Sequence, residues 1–317
     1  MQFVAPDPSA IIEIIGVDGS SWTVSGENAG DEGVVLNEGS TGLQEAPRTT
    51  NWQTGAHQEG STYVGTTIEP HDMVLGFQIW GDEENWHDVT SRFRKAWDYD
   101  NETTIRISTE SGSRDIQVRL FEAPMRDTNK DPRLVQYSLE TYTVRAAWPF
   151  WEGDGTAETK KIETKERPAG NIIEQLADFI KRLLQLEVDA PYYGTAEIEV
   201  YNPTDRPMYL QWVCSAPGRW TLPDWSFQDD DQAKRSIVCP TLDTDEILSI
   251  DTYPRNEPYV TTSKTNAAGR FGGVMFLNPV PPGTPPTKIP VAYAGTDREP
   301  EVTCVQRHYW NGPWGGE

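Results

Sequence analysis

The chain contains little cysteine: three residues among 317, at Cys214, Cys239 and Cys304. Three thiols cannot all pair, and they are too few for the disulfide framework of a small secreted scaffold. The segments around them, WVCS, IVCP and VTCV, are apolar. Because free cysteine is among the residue types most often buried, we expect three buried core thiols.

Basic residues are also scarce, with 27 Lys and Arg against 49 Asp and Glu and a formal net charge of −22. Non-specific binding to nucleic acid or to an anionic membrane needs clustered cations, so this balance argues against both partners. No apolar run approaches the ~20 residues of a membrane span. The start, MQFVAPDPSA, lacks the features of a signal peptide. We expect no membrane insertion and a chain that folds inside a cell.

Recognisable catalytic and metal-binding motifs are missing as well. The histidines form no zinc-type pairing; they are His57, His71, His87 and His308. The sequence contains no GxSxG elbow and no GxxxxGK[ST] phosphate loop. Acidic runs at 229–231 and 243–246 do not have the spacing of an EF-hand calcium loop. We therefore predict no enzymatic activity, no cofactor and no metal site.

Turn-forming and aromatic residues are abundant, with 26 Gly, 24 Pro and 12 Trp. In the first 150 residues, short segments such as Ile11–Gly16 and Ser21–Ser25 flank turn sequences and predict β-strands. The exception is Glu84–Trp97, where apolar residues recur at helical spacing along one stripe. This half of the chain therefore predicts a β domain with one helix.

Residues 37–61 have almost no periodicity. A stretch of this length without a pattern, inside a compact domain, is typical of a functional loop or of an arm that becomes ordered on a partner. Within it we select Asn51, Trp52, Gln53 and His57 as candidate interface residues. A disordered surface loop is the alternative.

Residues 152–168, EGDGTAETKKIETKERP, are polar and predict a domain boundary. Asn171–Glu187 then predicts a second amphipathic helix, capped by Asn171. Its apolar face includes Ile172, Leu176 and Phe179, which either dock a partner or pack on their own domain. The predicted organisation is an N-terminal β domain over 1–151, a linker with a helix over 152–189, and a β-sandwich over 190–317.

The C-terminal part alternates short β segments with turns such as NPTDRP and LPDW, a pattern that predicts a β-sandwich. Its segment VPPGTPP should not lie in a central strand, because proline lacks the N–H that a ladder needs. Four aromatic residues in this part have two interpretations: Tyr193, Trp212, Trp220 and Trp225. They pack in a core, or they lie exposed along one groove and stack on sugar rings.

Three segments stand out along the chain. The N-terminal β domain closes with AAWPFW at 146–151. The sandwich contains EVYNPTDRPMYLQWVCSAPG at 199–218 and DEILSIDTYPR at 245–255. Together they resemble the siphophage distal tail proteins, in particular minor tail proteins of phages that infect actinobacteria. The resemblance covers most of the chain as an order of elements, and none of its segments is a catalytic motif.

The resemblance implies a mainly β protein. Its N-terminal domain would be a tail-tube-like β-barrel or sandwich with one helix, and its C-terminal domain a galectin-like (jelly-roll) β-sandwich with an added helix. The implied function is structural: a homo-oligomeric ring, a hexamer, at the tail tip of the virion, made in the host cytoplasm and joining the tail tube to the baseplate. The implied partners are other copies of the chain, the tail tube protein, the tip hub and other minor tail proteins. The tape measure protein and a host cell-surface glycan are further candidates.

Two other functions remain open. A carbohydrate-binding module for attachment to the host needs the four aromatic residues exposed along one groove. A β-sandwich glycoside hydrolase needs two carboxylates that face each other at ~5–10 Å across a cleft. A ring component needs instead heterologous interfaces whose rotation closes, and an acidic chain would let DNA slide through such a ring without sticking.

Overall fold

The computed structural model describes residues 9–81, 85–126, 130–166, 191–263 and 267–316. These residues divide into two compact units, and the chain enters the first unit twice. Unit 1 holds the described residues up to Asp154 together with Tyr309–Gly316, and unit 2 holds those from Gly155 to His308. Both units are built mainly from antiparallel strands, which confirms the predicted mainly β fold.

Unit 1 is a strongly curved sheet with a helix on its apolar side. Its principal strands follow the order β2-β1-β7-β8-β10-β6-β3. These strands are β1 (Ile11–Ile15), β2 (Ser21–Ser25), β3 (Val34–Leu36), β6 (His71–Trp80), β7 (Thr103–Thr109), β8 (Gly112–Leu120) and β10 (Tyr137–Ala146). The additional strands of unit 1 are β4 (Arg48–Gln53), β5 (Thr62–Ile68), β9 (Met125–Arg126), β11 (Trp151–Glu152) and β22 (Tyr309–Trp310).

The two end strands of this sheet come close together, so that the sheet forms a nearly closed barrel. The backbone N–H of Gly30, in the turn that leads into β3, donates to the Thr23 carbonyl of β2 at 3.1 Å. Alternation sets which side faces inward: along β6, the side chains at 71, 73, 75, 77 and 79 are buried and most of those between them are not. One residue of register slip would expose this whole set, so the apolar alternation fixes the pairing.

The helix predicted over 84–97 is confirmed as α1 (Trp86–Lys95). Asn85 caps its start, since the side-chain oxygen accepts the N–H of Asp88 at 3.2 Å. The apolar stripe enters the core, where the Phe93 ring meets the Trp22 and Phe77 rings edge-on at 5.2 and 4.9 Å. Each fully buried side chain of this kind contributes about 1.5–3 kcal/mol relative to exposure. A second, single-turn helix, α2 (Pro132–Val135), precedes β10.

Unit 2 is a sandwich of two five-stranded antiparallel sheets, as the sequence predicted. The first sheet has the order β12-β21-β15-β18-β19 and the second β13-β14-β20-β16-β17. The strands of the first sheet are β12 (Thr156–Lys161), β15 (Leu210–Ser215), β18 (Ile247–Asp251), β19 (Tyr259–Thr261) and β21 (Glu301–Gln306). The strands of the second are β13 (Lys165–Glu166), β14 (Tyr192–Asn202), β16 (Gly218–Pro223), β17 (Ser236–Val238) and β20 (Thr284–Gly295); a short helix, α3 (Ala267–Arg270), follows β19.

The core of unit 2 lies between its sheets and contains all three thiols, Cys214, Cys239 and Cys304, as predicted. Burial raises the pKa of each thiol, because the low-dielectric core disfavours the thiolate. Inert, protonated thiols of this kind act as small apolar side chains.

The predicted linker over 152–189 differs from the structure at its beginning. Residues 156–161 and 165–166 are β12 and β13, which are edge strands of the two sheets of unit 2. Their lysines and glutamates suit an edge, where alternate side chains face water and charge discourages pairing with another chain. The predicted helix Asn171–Glu187 lies outside the described residues.

Candidate functional site

The segment without sequence periodicity forms a hairpin that stands apart from both units' sheets. Strands β4 and β5 pair antiparallel with each other as a separate two-stranded sheet, from Arg48↔Ile68 to Gln53↔Thr62. We call Arg48–Ile68 the arm. Every residue from 47 to 64 is exposed, unlike the strands of the barrel, which bury alternate residues. An isolated two-stranded ribbon is marginally stable in water, so an arm of this kind is typical of a contact surface.

The arm carries an aromatic pair on one face. Trp52 and Tyr63 are register partners, and their rings meet edge-on with centroids 5.3 Å apart. The Trp52 indole N–H donates to Thr50 Oγ1 at 3.0 Å, and the Tyr63 hydroxyl bonds Thr66 Oγ1 at 2.6 Å. The two side chains are nevertheless 57% and 53% exposed. A register shift after Asn51 adds an unpaired residue, the exposed Val64. Aromatic side chains that stay exposed on a fixed backbone are suited to bury against another surface.

Residues 42–47 and 69–71 flank the arm and form its root, which hydrogen bonds anchor in unit 1. The Gln44 carbonyl accepts the indole N–H of the buried Trp151 at 3.1 Å. The imidazole Nε2 of His71 contacts the Gly42 carbonyl at 2.5 Å. The Glu69 N–H closes the hairpin on the Pro47 carbonyl at 3.0 Å. The root therefore positions the arm, although the arm itself has no core beneath it.

Burial also fixes the charge state of the histidine at this root. Desolvation lowers the pKa of His71, and the contact with the Gly42 carbonyl opposes that shift without cancelling it. At neutral pH the ring is therefore neutral and donates its Nε2 proton to the carbonyl.

The arm is electrically neutral in a strongly acidic chain. Its only residues with formal charge are Arg48 and Glu59, whereas the whole chain carries −22. Like-charged copies of a protein repel each other, so a neutral surface is where two copies approach at the lowest electrostatic cost.

The predicted interface residues of the arm lie together in the structure. Asn51, Trp52 and Gln53 are the last three residues of β4, and His57 lies in the tip with a positive φ of 66°. The sequence reasoning missed Tyr63 and Val64, which the pairing brings beside Trp52. The sequence TYVGTTI, which is rich in β-branched residues, indicates a strand at this place, but the strand that pairs with it could not be recognised from the sequence. The other predicted interface residues, Ile172, Leu176 and Phe179, lie outside the described residues.

Unit 1 also contains an acidic cleft of about 510 Å³. Its lining includes the aromatic rings of Trp148 and Phe150, the guanidinium of Arg106 and several polar residues, and it contains four carboxylates: Glu102, Asp115, Glu152 and Asp154. Arg106 binds both oxygens of Asp115, each at 2.8 Å. The lining contains no His, Cys or Lys side chain, and the cleft concentrates negative charge on this unit.

The four aromatic residues considered as sugar contacts do not lie exposed together along one groove. Trp212 and Trp220 are fully buried between the sheets of unit 2, where Trp220 packs on Tyr293 with ring centroids 5.0 Å apart. Tyr193 and Trp225 are half-buried, and Trp225 packs on Phe227. Of the two interpretations given for these residues, Trp212 and Trp220 therefore take the first, packing in the core, and the four side chains do not form an exposed row for a sugar face.

Two further kinds of site are absent from the described residues. No group of three or more His, Cys, Asp or Glu is placed to hold a metal ion there. None of the helices in that part of the chain is long and apolar enough to cross a membrane.

The fold described above, a discontinuous barrel together with a sandwich of two five-stranded sheets, is similar to that of a solved phage tail protein. The Dit (gp 19.1) protein of SPP1, described as a paradigm of the hub adsorption apparatus in phages infecting Gram-positive bacteria, matches 95% of this chain and 99% of its own length. The TM-score is 0.56 at 11% identity, so this likeness concerns the fold.

Similarity in sequence points to particular relatives. The chain is 26% identical over 340 aligned positions to Minor tail protein Gp27 of Mycobacterium phage D29. The alignment covers 97% of this chain and 98% of that relative. The chain is 25% identical, with the same coverage, to Minor tail protein Gp27 of Mycobacterium phage L5. No family model matches the chain. The predicted resemblance to distal tail proteins and to minor tail proteins of actinobacterial phages is confirmed.

Proposed function

We propose that this chain is a structural component of a phage tail tip and acts there without catalysis. The observation that carries the proposal is that two likenesses span the same full length: sequence similarity to minor tail proteins and the fold of a distal tail protein. The carbohydrate-binding alternative is not favoured, because the tryptophans it needs most are inside the core of unit 2.

The ring is the assembly that the arm supports best. We assign the arm to the contact between neighbouring copies, with Trp52, Tyr63 and Val64 at its centre and Asn51, Gln53 and His57 around them. Such a contact is heterologous, since one copy supplies the arm and the next supplies the receiving surface, and repetition closes a ring when the rotation allows it. Six copies is the number that the family resemblance implies.

The partners follow from a position between tube and tip. Unit 1, as the ring-forming part, would meet the tail tube protein, and unit 2 would attach the tip hub and other minor tail proteins. The tape measure protein and a host glycan are additional candidates for the ring's opening and outer surface. The acidic chain, with its cleft of carboxylates in unit 1, suits a passage for DNA, because like charge prevents the DNA from sticking.

The proposal is tested by locating the chain in the virion. Gold-labelled antibodies against the purified chain are applied to particles of the phage that encodes it and viewed by electron microscopy. Label at the end of the tail distant from the capsid supports a tail-tip component. Label on the capsid or along the whole tube, or no label on intact and detergent-opened particles, contradicts it.

The ring is tested separately on the purified protein. Its mass is measured by analytical ultracentrifugation, and any large species is imaged in negative stain, alone and with purified tail tubes. A closed ring of about six copies with an open centre is expected. A chain that stays monomeric both alone and on tube ends contradicts the ring without affecting the location of the protein.

A further inference from the structure

Unit 2 presents a short apolar loop to solvent. In the segment that follows α3, the side chains of Val274, Met275 and Leu277 are 44%, 45% and 59% exposed. Between them, Phe276 is buried in the core of the sandwich. Single exposed apolar residues are ordinary, but three within four positions around a buried anchor form a continuous patch. We call residues 274–277 the apolar patch.

The backbone of the apolar patch is fixed by hydrogen bonds. The Tyr259 hydroxyl donates to the Val274 carbonyl at 2.7 Å, and Arg235 donates to the Met275 carbonyl at 2.9 Å. The Asp224 carboxylate accepts the backbone N–H of Leu277 at 3.1 Å. The backbone that carries the exposed side chains is therefore fixed before any partner arrives, which lowers the entropy lost on binding.

A buried ion pair supports this arrangement. Asp224 is almost completely buried, forms an ion pair with Arg235 and also accepts the Asn278 N–H at 3.0 Å. Each group of the pair thus bonds the loop as well as its partner. A buried charge is stable only when its hydrogen bonds are complete, so the pair and the loop depend on each other.

Two shallow depressions adjoin the apolar patch, and Phe276 lines both of them. One is lined by Tyr253, Pro254, Pro258 and Met275 together with polar residues such as Asp251 and Asn256. The other is lined by Pro223, Trp225, Phe227 and Asn278 among others. An exposed apolar centre with such mixed surroundings has the composition of a protein–protein contact, in which an apolar core is bordered by polar groups.

Acidic side chains border the same surface. Asp229, Asp230 and Asp231 are exposed on the loop between β16 and β17. That loop is tied to the patch, because Asn278 Nδ2 donates to Gln232 Oε1 at 2.9 Å. The exposed charges of that loop are these three carboxylates and Lys234, so this side of the patch is negative on balance.

We propose that the apolar patch is the docking site for a different protein, one with an apolar pocket for Met275 and Leu277 and a rim of Lys or Arg for Asp229–Asp231. A second copy pairing through the same surface would bring two acidic rims together, and an anionic membrane would repel the rim. A partner whose apolar pocket is bordered by Lys or Arg would bury the apolar side chains of the patch and pair with the carboxylates beside them. The inference rests on the proposed function in placing that partner among the proteins of the tail.

Photocrosslinking in assembled virions tests the proposal. The photoreactive amino acid benzoylphenylalanine replaces Met275 in one phage and, as the control, the exposed Val260 of β19 in another. The expected result is a crosslink from position 275, but not from 260, to one other tail protein at a peptide flanked by Lys or Arg. Changing Asp229, Asp230 and Asp231 to Asn lowers the crosslink yield about tenfold, the change that 1.4 kcal/mol produces.

Three outcomes overturn the inference. They are a crosslink from 275 to a second copy of the chain, a crosslink of equal yield from both positions, and no crosslink in virions that contain the chain. If the chain is missing from purified virions, the proposed function itself fails, and immunoblotting of the same particles identifies that case.

Discussion

Glu246 makes part of the stability of unit 2 depend on pH. Its pKa is lowered to about 2, chiefly by hydrogen bonds from Arg270 and Ser263 and by the Asp243 N–H. The Arg270 Nη1 lies 2.9 Å from Glu246 Oε1. Because the folded pKa lies below the ordinary 4.5, the unfolded carboxyl takes up its proton first as the pH falls. The stabilisation is complete above about pH 4.5 and is lost as the pH falls through about 2.

Substitution of this carboxylate tests the argument. Glu246→Gln should lower the free energy of unfolding at pH 7 by about 1.5–3 kcal/mol, because Arg270 loses its charged partner. The difference from wild type should shrink between pH 4.5 and 2 in urea titrations followed by tryptophan fluorescence. Glu197→Gln, in an exposed pair with Lys288 at 3.8 Å, is the control and should cost less than about 1 kcal/mol. A Glu246→Gln deficit that is constant with pH would contradict the assignment.

Gly42, at the root of the arm, has no room for a side chain. Its φ is +86°, and a Cβ there would lie 2.4 Å from the Asp72 carbonyl oxygen. Gly39 has a similar φ of +90° but open space around it. Gly42→Ala should therefore lower the free energy of unfolding, measured in urea, by about 1–3 kcal/mol more than Gly39→Ala does. Both variants place a side chain at positive φ, but only Gly42→Ala adds a steric overlap with the Asp72 carbonyl. Equal losses of stability for the two variants would show that the backbone around Gly42 moves to accommodate the methyl group at no energetic cost.

At the scale of elements, we expect substitutions in the arm to affect assembly of the chain but not its folding. Replacing Trp52 and Tyr63 together by Ser should change the free energy of unfolding by less than about 0.5 kcal/mol, because both side chains are exposed. The same variant should no longer form rings in sedimentation and negative stain. The matched control is Leu134→Ser, an exposed apolar residue of α2, which should assemble normally. Rings of wild-type yield from the arm variant would remove the arm from the interface.

Apolar strands next to turn sequences and the amphipathic helix of unit 1 could be predicted from the sequence, because their buried faces leave a pattern of apolar residues. Ile11–Gly16 became β1 and Glu84–Trp97 became α1 with shifts of one or two residues. The arm was predicted as a functional segment but not as a hairpin. Its β4 strand, Arg48–Gln53, buries neither face, so it has no apolar period to detect.

Edge strands and strands that contain proline were not predicted from the sequence, for related reasons. The segment predicted as linker supplies β12, whose exposed side chains read as a polar connection. The prolines of VPPGTPP were expected outside any central strand, yet Pro285 and Pro286 lie in β20, which has neighbours on both sides. The two prolines do not occupy a central position, however, because β16 pairs only with residues 292–295 of β20. Near its start the strand is an edge, where a missing N–H costs nothing.

At the scale of the whole molecule, the charge of −22 opposes assembly of identical copies. Screening shortens the range of this repulsion, from about 10 Å at 0.1 M salt to about 3 Å at 1 M. The fraction of chain in rings should therefore rise when NaCl is raised from about 0.02 to 0.5 M. Sedimentation velocity at constant protein concentration measures it, with uncharged sucrose in place of salt as the control. A ring fraction that falls with salt would show that ion pairs, rather than apolar contacts, hold the copies.

The return of the chain to unit 1 gives a further prediction. Trp310 pairs with Trp151 and lies in the core, and the Arg114 guanidinium stacks 3.8 Å from its ring centre. Trp310→Ala should destabilise unit 1 by about 3–5 kcal/mol and leave the unfolding transition of unit 2 in place. Calorimetry resolves the two transitions, and Trp314→Ala, four residues along and exposed, is the matched control. Equal effects of the two variants would show that the return strand adds nothing to the core.

The same return makes the order of synthesis matter. Residues 155–308, the whole of unit 2, are made between Asp154 and Tyr309, so unit 1 lacks its last strand until they have emerged. A chain that stops early therefore carries an unfinished barrel, with Trp151 deprived of its partner. If unit 1 forms the proposed ring, a copy truncated before Trp310 would therefore lack part of the unit that assembles.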